Sequence, residues 1–234
     1  MNKTLVIARK EIKELFGNKS TLLMGIGFAL FFSVLNALAI TKGEDSTAAT
    51  SLDGSIFSLS AAIGFFIAYI SASQIFLREK MDRVIETLLC APVNLRQIWL
   101  GKVLGVTGFA YLLSLLTALV ILVISNILSD SLLLPSVPVF AHVLLVVPTF
   151  IAALAGLLGF IQFRLGMREN RILNFVIFVP AFAALYGVGL SATSSLAIPW
   201  SYVGILFIGS MLLLVITAYL TKRLSKERIV TTLP

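Results

Sequence analysis

The chain has 234 residues, of which 59% are hydrophobic and only 12% are charged, and its mean hydropathy is +1.03. A soluble domain is about half apolar and about a quarter charged, so this composition excludes a water-soluble protein and indicates an integral membrane protein. The net charge of +7 comes from 18 Lys and Arg against 11 Asp and Glu. Because the basic residues alternate with apolar runs, they indicate membrane topology and argue against a nucleic-acid partner.

The first predicted element is an amphipathic helix within residues 1–19. On a helical projection one face is apolar, with Lys10, Lys13 and Glu14 opposite it. A basic helix of this kind lies in the headgroup plane of a membrane with its apolar face towards the acyl chains. The same pattern fits an elbow helix that packs against a cytoplasmic partner, and periodicity alone does not separate the two. The apolar face consists of Leu5, Ala8, Ile12, Leu15 and Phe16.

Six apolar runs follow, each long enough to cross a hydrocarbon core, which takes about 20 residues of helix. No Lys, Arg, Asp or Glu lies in their interiors. The fold class predicted is an all-α integral membrane protein with one transmembrane domain over residues 1–234, in which residues 20–221 hold the spans and residues 222–234 form a cytoplasmic tail. The predicted spans are residues 21–40, 56–77, 103–128, 140–163, 173–190 and 202–221.

The basic residues fall almost entirely on one side of these spans. Of the 18 Lys and Arg, 17 lie before span 1, between spans 2 and 3, between spans 4 and 5, or after span 6, and only Lys42 lies on the other side. Short loops rich in Lys and Arg remain in the cytoplasm. We therefore expect a multi-pass protein of the cell membrane with both termini in the cytoplasm.

The segment between spans 2 and 3 carries the most specific pattern. A helix over about residues 79–90 is predicted to end before Pro92, because the residue preceding a proline is disfavoured in the helical region. Asn94 followed by Gln97 is a variant capping box that begins a new helix leading into span 3. Two helices at a fixed angle make a rigid knob, which a passive linker would not need. The apolar face of the first helix consists of Met81, Ile85, Leu88 and Leu89.

These features resemble the type-2 permease family of ATP-binding-cassette transporters, a family of six-span, type V exporter-like membrane subunits. The family's loop after span 2 has an acidic residue, two leucines, a proline, a capping residue, and a Gly-Lys leading into span 3. The sequence ARKEIKELFGNKS is similar to the family's connecting helix. Arg83 and Val84 depart from the Gly-Thr that the family often has. The matching residues are Glu86, Leu88, Leu89, Pro92, Val93, Asn94, Gly101 and Lys102.

The resemblance implies a permease subunit that exports its substrate, powered by a separate ATP-binding-cassette ATPase subunit and paired with a second permease half, a copy of itself. The first helix of the loop would be the coupling helix that contacts the ATPase, and the segment RLGMRENRI would give a second contact. The residues assigned to coupling are Glu79, Met81, Ile85, Glu86, Leu88, Leu89, Pro92 and Asn94, and those of the second contact are Arg168, Glu169 and Arg171.

The uncharged spans also suggest the chemistry of the substrate. A path lined by hydroxyl, amide and phenol groups suits a lipid-like, amphipathic or hydrophobic molecule and offers no counter-charge to a bare ion. Pro180, with Gly187 and Gly189 after it, predicts a kink or a gate in span 5. The polar residues proposed to line the path are Asn36, Tyr69, Gln74, Tyr111 and Tyr186.

Three alternatives remain open from the residues alone. A membrane enzyme would need a nucleophile and a base, but Ser191 lacks the glycine of a nucleophile elbow, and His142 is predicted to be an interfacial residue. A secondary carrier usually has ionisable groups at membrane depth, which the predicted spans lack. A structural membrane protein would leave the capped loop unexplained. The sequence contains no G-x-x-x-x-G-K-[ST] motif, and no catalytic residue, cofactor or metal site is predicted.

Overall fold

The computed structural model describes residues 3–41, 48–77, 94–129, 132–165, 176, 178–180, 183 and 198–223. Every regular element within these ranges is a helix, which confirms the all-α class. Two π-helical segments, Ser73–Leu77 and His142–Val146, extend α3 and join α5 to α6, and a 3-10 turn at Thr221–Arg223 follows α7. The α-helices are α1 (Lys3–Gly17), α2 (Lys19–Thr41), α3 (Ala48–Ala72), α4 (Leu95–Leu128), α5 (Val137–Ala141), α6 (Val147–Arg164) and α7 (Trp200–Leu220).

Five stretches of the described chain are long and apolar enough to cross a membrane, and they correspond to predicted spans 1, 2, 3, 4 and 6. Predicted span 5, residues 173–190, falls mostly outside the described residues, so the count of six spans stays a prediction. Within that span Pro180 is helical and exposed, whereas Gly187 and Gly189 lie outside the described residues. The five stretches are Lys19–Ile40, Ala49–Phe76, Leu95–Leu128, Val137–Arg164 and Trp200–Leu220.

Two helices begin about two turns earlier than hydropathy predicted. Helix α3 starts at Ala48 and α4 starts at Leu95, before the apolar runs begin. Polar side chains in these added turns have specific partners: the Asp53 carboxylate accepts a hydrogen bond from the Ser136 backbone N–H at 2.9 Å. A hydropathy average counts such residues as unfavourable and does not register their hydrogen bonds, so it places the start of the helix too late.

Spans 1 to 4 alternate in direction, whereas α7 runs parallel to α6, with Thr149 beside Ser210 and Gly156 beside Thr217. The Thr21 hydroxyl at the start of α2 donates to Gln74 Oε1 at 2.7 Å, just after the end of α3. Trp99 Nε1 near the start of α4 donates to the carbonyl of Gly156, late in α6, at 3.1 Å. We call the end of the bundle that holds residues 19, 77, 94, 164 and 221 the basic end, and the other the opposite end.

Helix α4 is the central element of the described bundle, because it packs against α1, α2, α3 and α6. Small polar residues let its neighbours approach closely. The buried Ser114 hydroxyl donates to the Ser60 carbonyl of α3 at 2.6 Å, and the Ser33 hydroxyl of α2 lies 3.3 Å from the Thr117 carbonyl. The hydrophobic core forms one cluster from the basic end to the middle, around Trp99, Val106, Phe109, Ile151 and Phe163, and a second at the opposite end, around Leu52, Phe57, Ile121, Val139 and Val203.

The connection between α4 and α5 is fixed by one amide side chain. Asn126 Oδ1 accepts the backbone N–H of Leu133 at 2.7 Å, and Asn126 Nδ2 donates to the Leu133 carbonyl at 2.9 Å. Both backbone groups of Leu133 are therefore satisfied without a helix or a strand. Residues 132–136 are tied to α4 through this pair and to α3 through Asp53.

Candidate functional site at the basic end of the bundle

The candidate site lies at the basic end, where the chain leaves the bundle after Leu77 and returns at Asn94. Most residues that the sequence assigned to coupling are in the intervening segment 78–93, outside the described residues, and so are those of the second contact. The structure does describe the two attachment points of segment 78–93. The residues in question are Glu79, Met81, Ile85, Glu86, Leu88, Leu89 and Pro92, together with Arg168, Glu169 and Arg171.

Asn94 begins α4, as the capping pattern predicted. Its backbone is extended, with φ −75° and ψ 142°, and its N–H donates to Gln97 Oε1 at 3.3 Å. The backbone N–H of Gln97 bonds back to the Asn94 carbonyl at 2.8 Å. These bonds satisfy groups that the first turn of a helix leaves open. The return point of segment 78–93 is thus a structured helix start.

A row of glycines on α4 receives the N-terminal helix α1. A Cβ added at Gly101 would lie 2.7 Å from Ile7 Cβ, and one added at Gly105 would lie 2.6 Å from Glu11 Cβ. Such separations are far shorter than a carbon–carbon van der Waals contact, so only glycine allows this approach. The GxxxG pattern therefore serves packing within the chain, between α4 and α1.

An ion pair lies beside these glycines. Lys102 Nζ is 2.9 Å from Glu11 Oε1, and the two side chains are only 1% and 2% exposed. Charges removed from water are costly unless they are paired, and at low dielectric the attraction within a pair is stronger than at a surface. The exposed Lys10 ammonium is also 4.0 Å from Glu11. The sequence pattern identified Lys102 only as part of the Gly-Lys pair that leads into span 3, and it did not single out Glu11.

Phe76, in the π-helical segment that extends α3, packs beside the same ion pair. The Lys102 ammonium lies 5.8 Å from the centre of the Phe76 ring, within the range of a cation–π contact. Phe76 packs edge-on against Phe163 of α6, with ring centres 5.1 Å apart, and occupies the space beside Gly159. We call Glu11, Phe76, Lys102, Gly159 and Phe163 the basic-end cluster; it joins α1, α4, α6 and the π segment after α3.

The five residues predicted to form the apolar face of α1 do not share one environment. Ala8 and Leu15 are buried, Ile12 is half-buried, and Leu5 and Phe16 are exposed at 61% and 41%. The Phe16 ring contacts Phe109 of α4 edge-on at 5.1 Å. The face of α1 in contact with the bundle is therefore centred on Ala8, Glu11 and Leu15, with Phe16 at its edge, and the outer side carries Leu5 and basic residues.

The polar residues proposed for a substrate path do not form one set in the described structure. Asn36 donates to its own helix at the Phe32 carbonyl, at 3.1 Å, and Gln74 accepts the Thr21 hydroxyl. Tyr69 and Tyr111 are half-buried against the first core cluster, and Tyr186 lies outside the described residues. A shallow groove between α2 and α3 is mainly apolar and is lined by Met24, Gly25, Phe28, Phe66, Ile67 and Ile70, with Thr21 and Ser71 at its polar positions.

His142, which the sequence predicts to be an interfacial residue, packs against another side chain of the bundle. Its side chain is 1% exposed and stacks on Phe57, with ring centres 4.0 Å apart. The helix begins at Val137, three residues before the predicted span, so His142 lies more than one turn inside the helical segment. No group of three or more His, Cys, Asp or Glu able to hold a metal occurs among the residues that the structure describes.

A family model described as ABC-2 family transporter protein matches residues 18–179, which is more than half of the chain. The matched region begins at the turn between α1 and α2 and includes segment 78–93 and all of α4. No match to this chain is found among curated proteins.

Proposed function

The chain belongs to the ABC-2 family of transporter proteins, and on this premise we propose that it is the membrane-spanning permease subunit of an ATP-binding-cassette exporter, driven by a separate ATPase subunit that docks at the basic end. The observation that carries the proposal is the attachment of segment 78–93. Its exit follows the packed side chain of Phe76, and its return at Asn94 is a capped helix start, as suits an element that receives a push.

Segment 78–93, with Asn94 at its end, is the proposed contact with the ATPase. An apolar face of Met81, Ile85 and Leu88 would insert into a groove of the partner, and the charged residues around it would form the rim. The segment around Arg168, Glu169 and Arg171 would add a smaller contact. In this arrangement the basic end faces the cytoplasm of a cell whose plasma membrane the protein spans, in keeping with the distribution of Lys and Arg.

The proposed substrate is lipid-like, amphipathic or hydrophobic. Its support is the lack of charged side chains in the predicted span interiors. One chain is proposed to supply half of the transporter and a second copy the other half. Co-purification of two differently tagged copies from one cell tests the homodimer directly, and a single tag in every preparation contradicts it.

The decisive experiment is purification in mild detergent from the native host, after gentle crosslinking, with identification of every stoichiometric partner. An ATP-binding subunit in fixed ratio to the permease is the expected result. A preparation with no ATPase contradicts the proposal and favours a stand-alone carrier or a structural protein.

The substitution Leu88→Asp tests the docking element within that experiment. Burying a leucine contributes about 1.5–3 kcal/mol, so its replacement by a charge lowers affinity for the ATPase at least about tenfold. The matched control is Leu132→Asp, the same change at a 79% exposed position of the opposite end. We expect the control to retain the ATPase and the Leu88 variant to lose it while still inserting into the membrane. Equal recovery of the ATPase from both variants would exclude this helix as the contact.

A further inference from the structure

The ion pair between Glu11 and Lys102 connects two parts of the chain that are distant in sequence. Glu11 belongs to α1, which precedes the first span, and Lys102 lies two turns into α4. The pair is 2.9 Å long and almost fully buried, so its two charges have little access to water. Replacing either partner would remove the nearest opposite charge from the other at a site with little access to water, which is costly.

The pair is also next to both attachment points of segment 78–93. Phe76, under the Lys102 ammonium, lies just before the segment begins, and Asn94, which caps α4, lies two turns before Lys102 on the same helix. Gly101 and Gly105 bring the backbone of α1 into direct contact with that first part of α4. Displacing the segment therefore displaces the surface on which α1 sits.

We propose that Glu11 and Lys102 are positioning residues that make α1 and the two attachment points of segment 78–93 one rigid body. A push on the segment then moves α1 together with the start of α4, and α1 does not swing independently in the membrane surface. The inference rests on the proposed function in one respect, that an ATPase subunit delivers the push at segment 78–93. Neither residue is assigned contact with ATP or with the substrate.

The test measures a distance in the complex with the ATPase subunit. In a Cys90→Ser background, which removes the only cysteine, spin labels on Arg96→Cys, exposed near the start of α4, and on Lys13→Cys, exposed on α1, report the separation of α1 from the return point of segment 78–93. A rigid body predicts that this distance stays constant within about 2 Å between the nucleotide-free and the ATP-bound complex. A larger change in the otherwise unaltered protein overturns the inference, even though the ATPase is bound and the proposed function stands.

Substitutions in the same labelled protein separate positioning from general stability. We expect Lys102→Met or Glu11→Gln to broaden the distance distribution and to reduce ATP turnover per assembled complex by about 5- to 150-fold, the range of a typical coupling between sites. The double variant Glu11→Leu with Lys102→Met leaves no buried charge and is expected to restore a narrow distribution. A single variant that assembles with the same narrow distribution and the same turnover as the parent overturns the proposal. If no ATPase is recovered with the parent protein, the proposed function has failed, and a distance fixed in one narrow distribution still supports the rigid body.

Discussion

At the scale of single residues, two glycines of α4, Gly101 and Gly105, let α1 pack closely because they have no Cβ atom. At Gly101 an added Cβ would meet Cβ and Cγ2 of Ile7, both at 2.7 Å, and the Thr4 carbonyl oxygen at 3.0 Å. Ile7 cannot swing away easily because a β-branched side chain in a helix has one strongly preferred rotamer. The close approach of α1 therefore depends on this position having no side chain.

We predict that Gly101→Ala destabilises the protein by about 1–3 kcal/mol, the usual cost of overpacking. The matched control is Gly209→Ala in α7, where an added Cβ has nothing within 4 Å. There alanine should be neutral or stabilising by about 0.5–1 kcal/mol, because glycine is the poorer helix former. Thermal unfolding in detergent compares the two, and a lower midpoint for the Gly209 variant than for the Gly101 variant would contradict the packing argument.

At the scale of the elements, the side chain of Asn126 holds the turn between α4 and α5 in place. Asn36 of α2 is a matched comparison, because both side chains are half-buried and both donate to the carbonyl four residues earlier in their own helix, at 2.8 and 3.1 Å. Only Asn126 also exchanges two hydrogen bonds with the backbone of Leu133. The difference between the two asparagines is therefore the connection to another element.

We predict that Asn126→Leu accelerates hydrogen exchange at the Leu133 amide by about 30-fold, because two neutral hydrogen bonds contribute about 2 kcal/mol together. Asn36→Leu should leave exchange at Leu133 unchanged. Exchange followed by mass spectrometry of the peptide that contains residues 132–136 provides the measurement. Equal protection in both variants would mean that the Asp53 contact alone fixes the turn.

The sequence predicted the positions of the helices better than it predicted which helix faces pack together. Hydropathy located five of the spans, and the Asn94–Gln97 pattern located the start of α4, since both signals lie within a few residues of the feature they predict. The buried face of α1 differs from the predicted apolar face because it includes Glu11, a charged residue that a periodicity pattern groups with the polar residues. Its partner Lys102 is 91 positions away, and no local pattern carries that information.

At the scale of the whole molecule, the described spans differ in how much of each is buried. Only 17% of the α7 span and 28% of each of the α2 and α4 spans are buried, against 61% for the α3 span and 56% for the span Val137–Arg164. In a membrane the exposed faces contact lipid or other protein. The basic-end cluster lies where the ends of α3 and α6 meet the start of α4, at the end of the bundle from which segment 78–93 extends.

Orientation is the property of the whole molecule that follows most directly from charge, because 17 of 18 Lys and Arg fall on one side of the six predicted spans. Segment 78–93 belongs to that side and contains Cys90, the only cysteine, which serves as a built-in reporter. We predict that a membrane-impermeant thiol reagent labels Cys90 in inside-out vesicles and not in intact cells, because basic loops stay in the cytoplasm. The variant Cys90→Ser with Ser46→Cys, which moves the thiol to the loop between spans 1 and 2, should show the opposite pattern. Labelling of Cys90 in intact cells, with membrane integrity verified on a cytoplasmic protein, would reverse the orientation and remove segment 78–93 from the reach of any cytoplasmic ATPase.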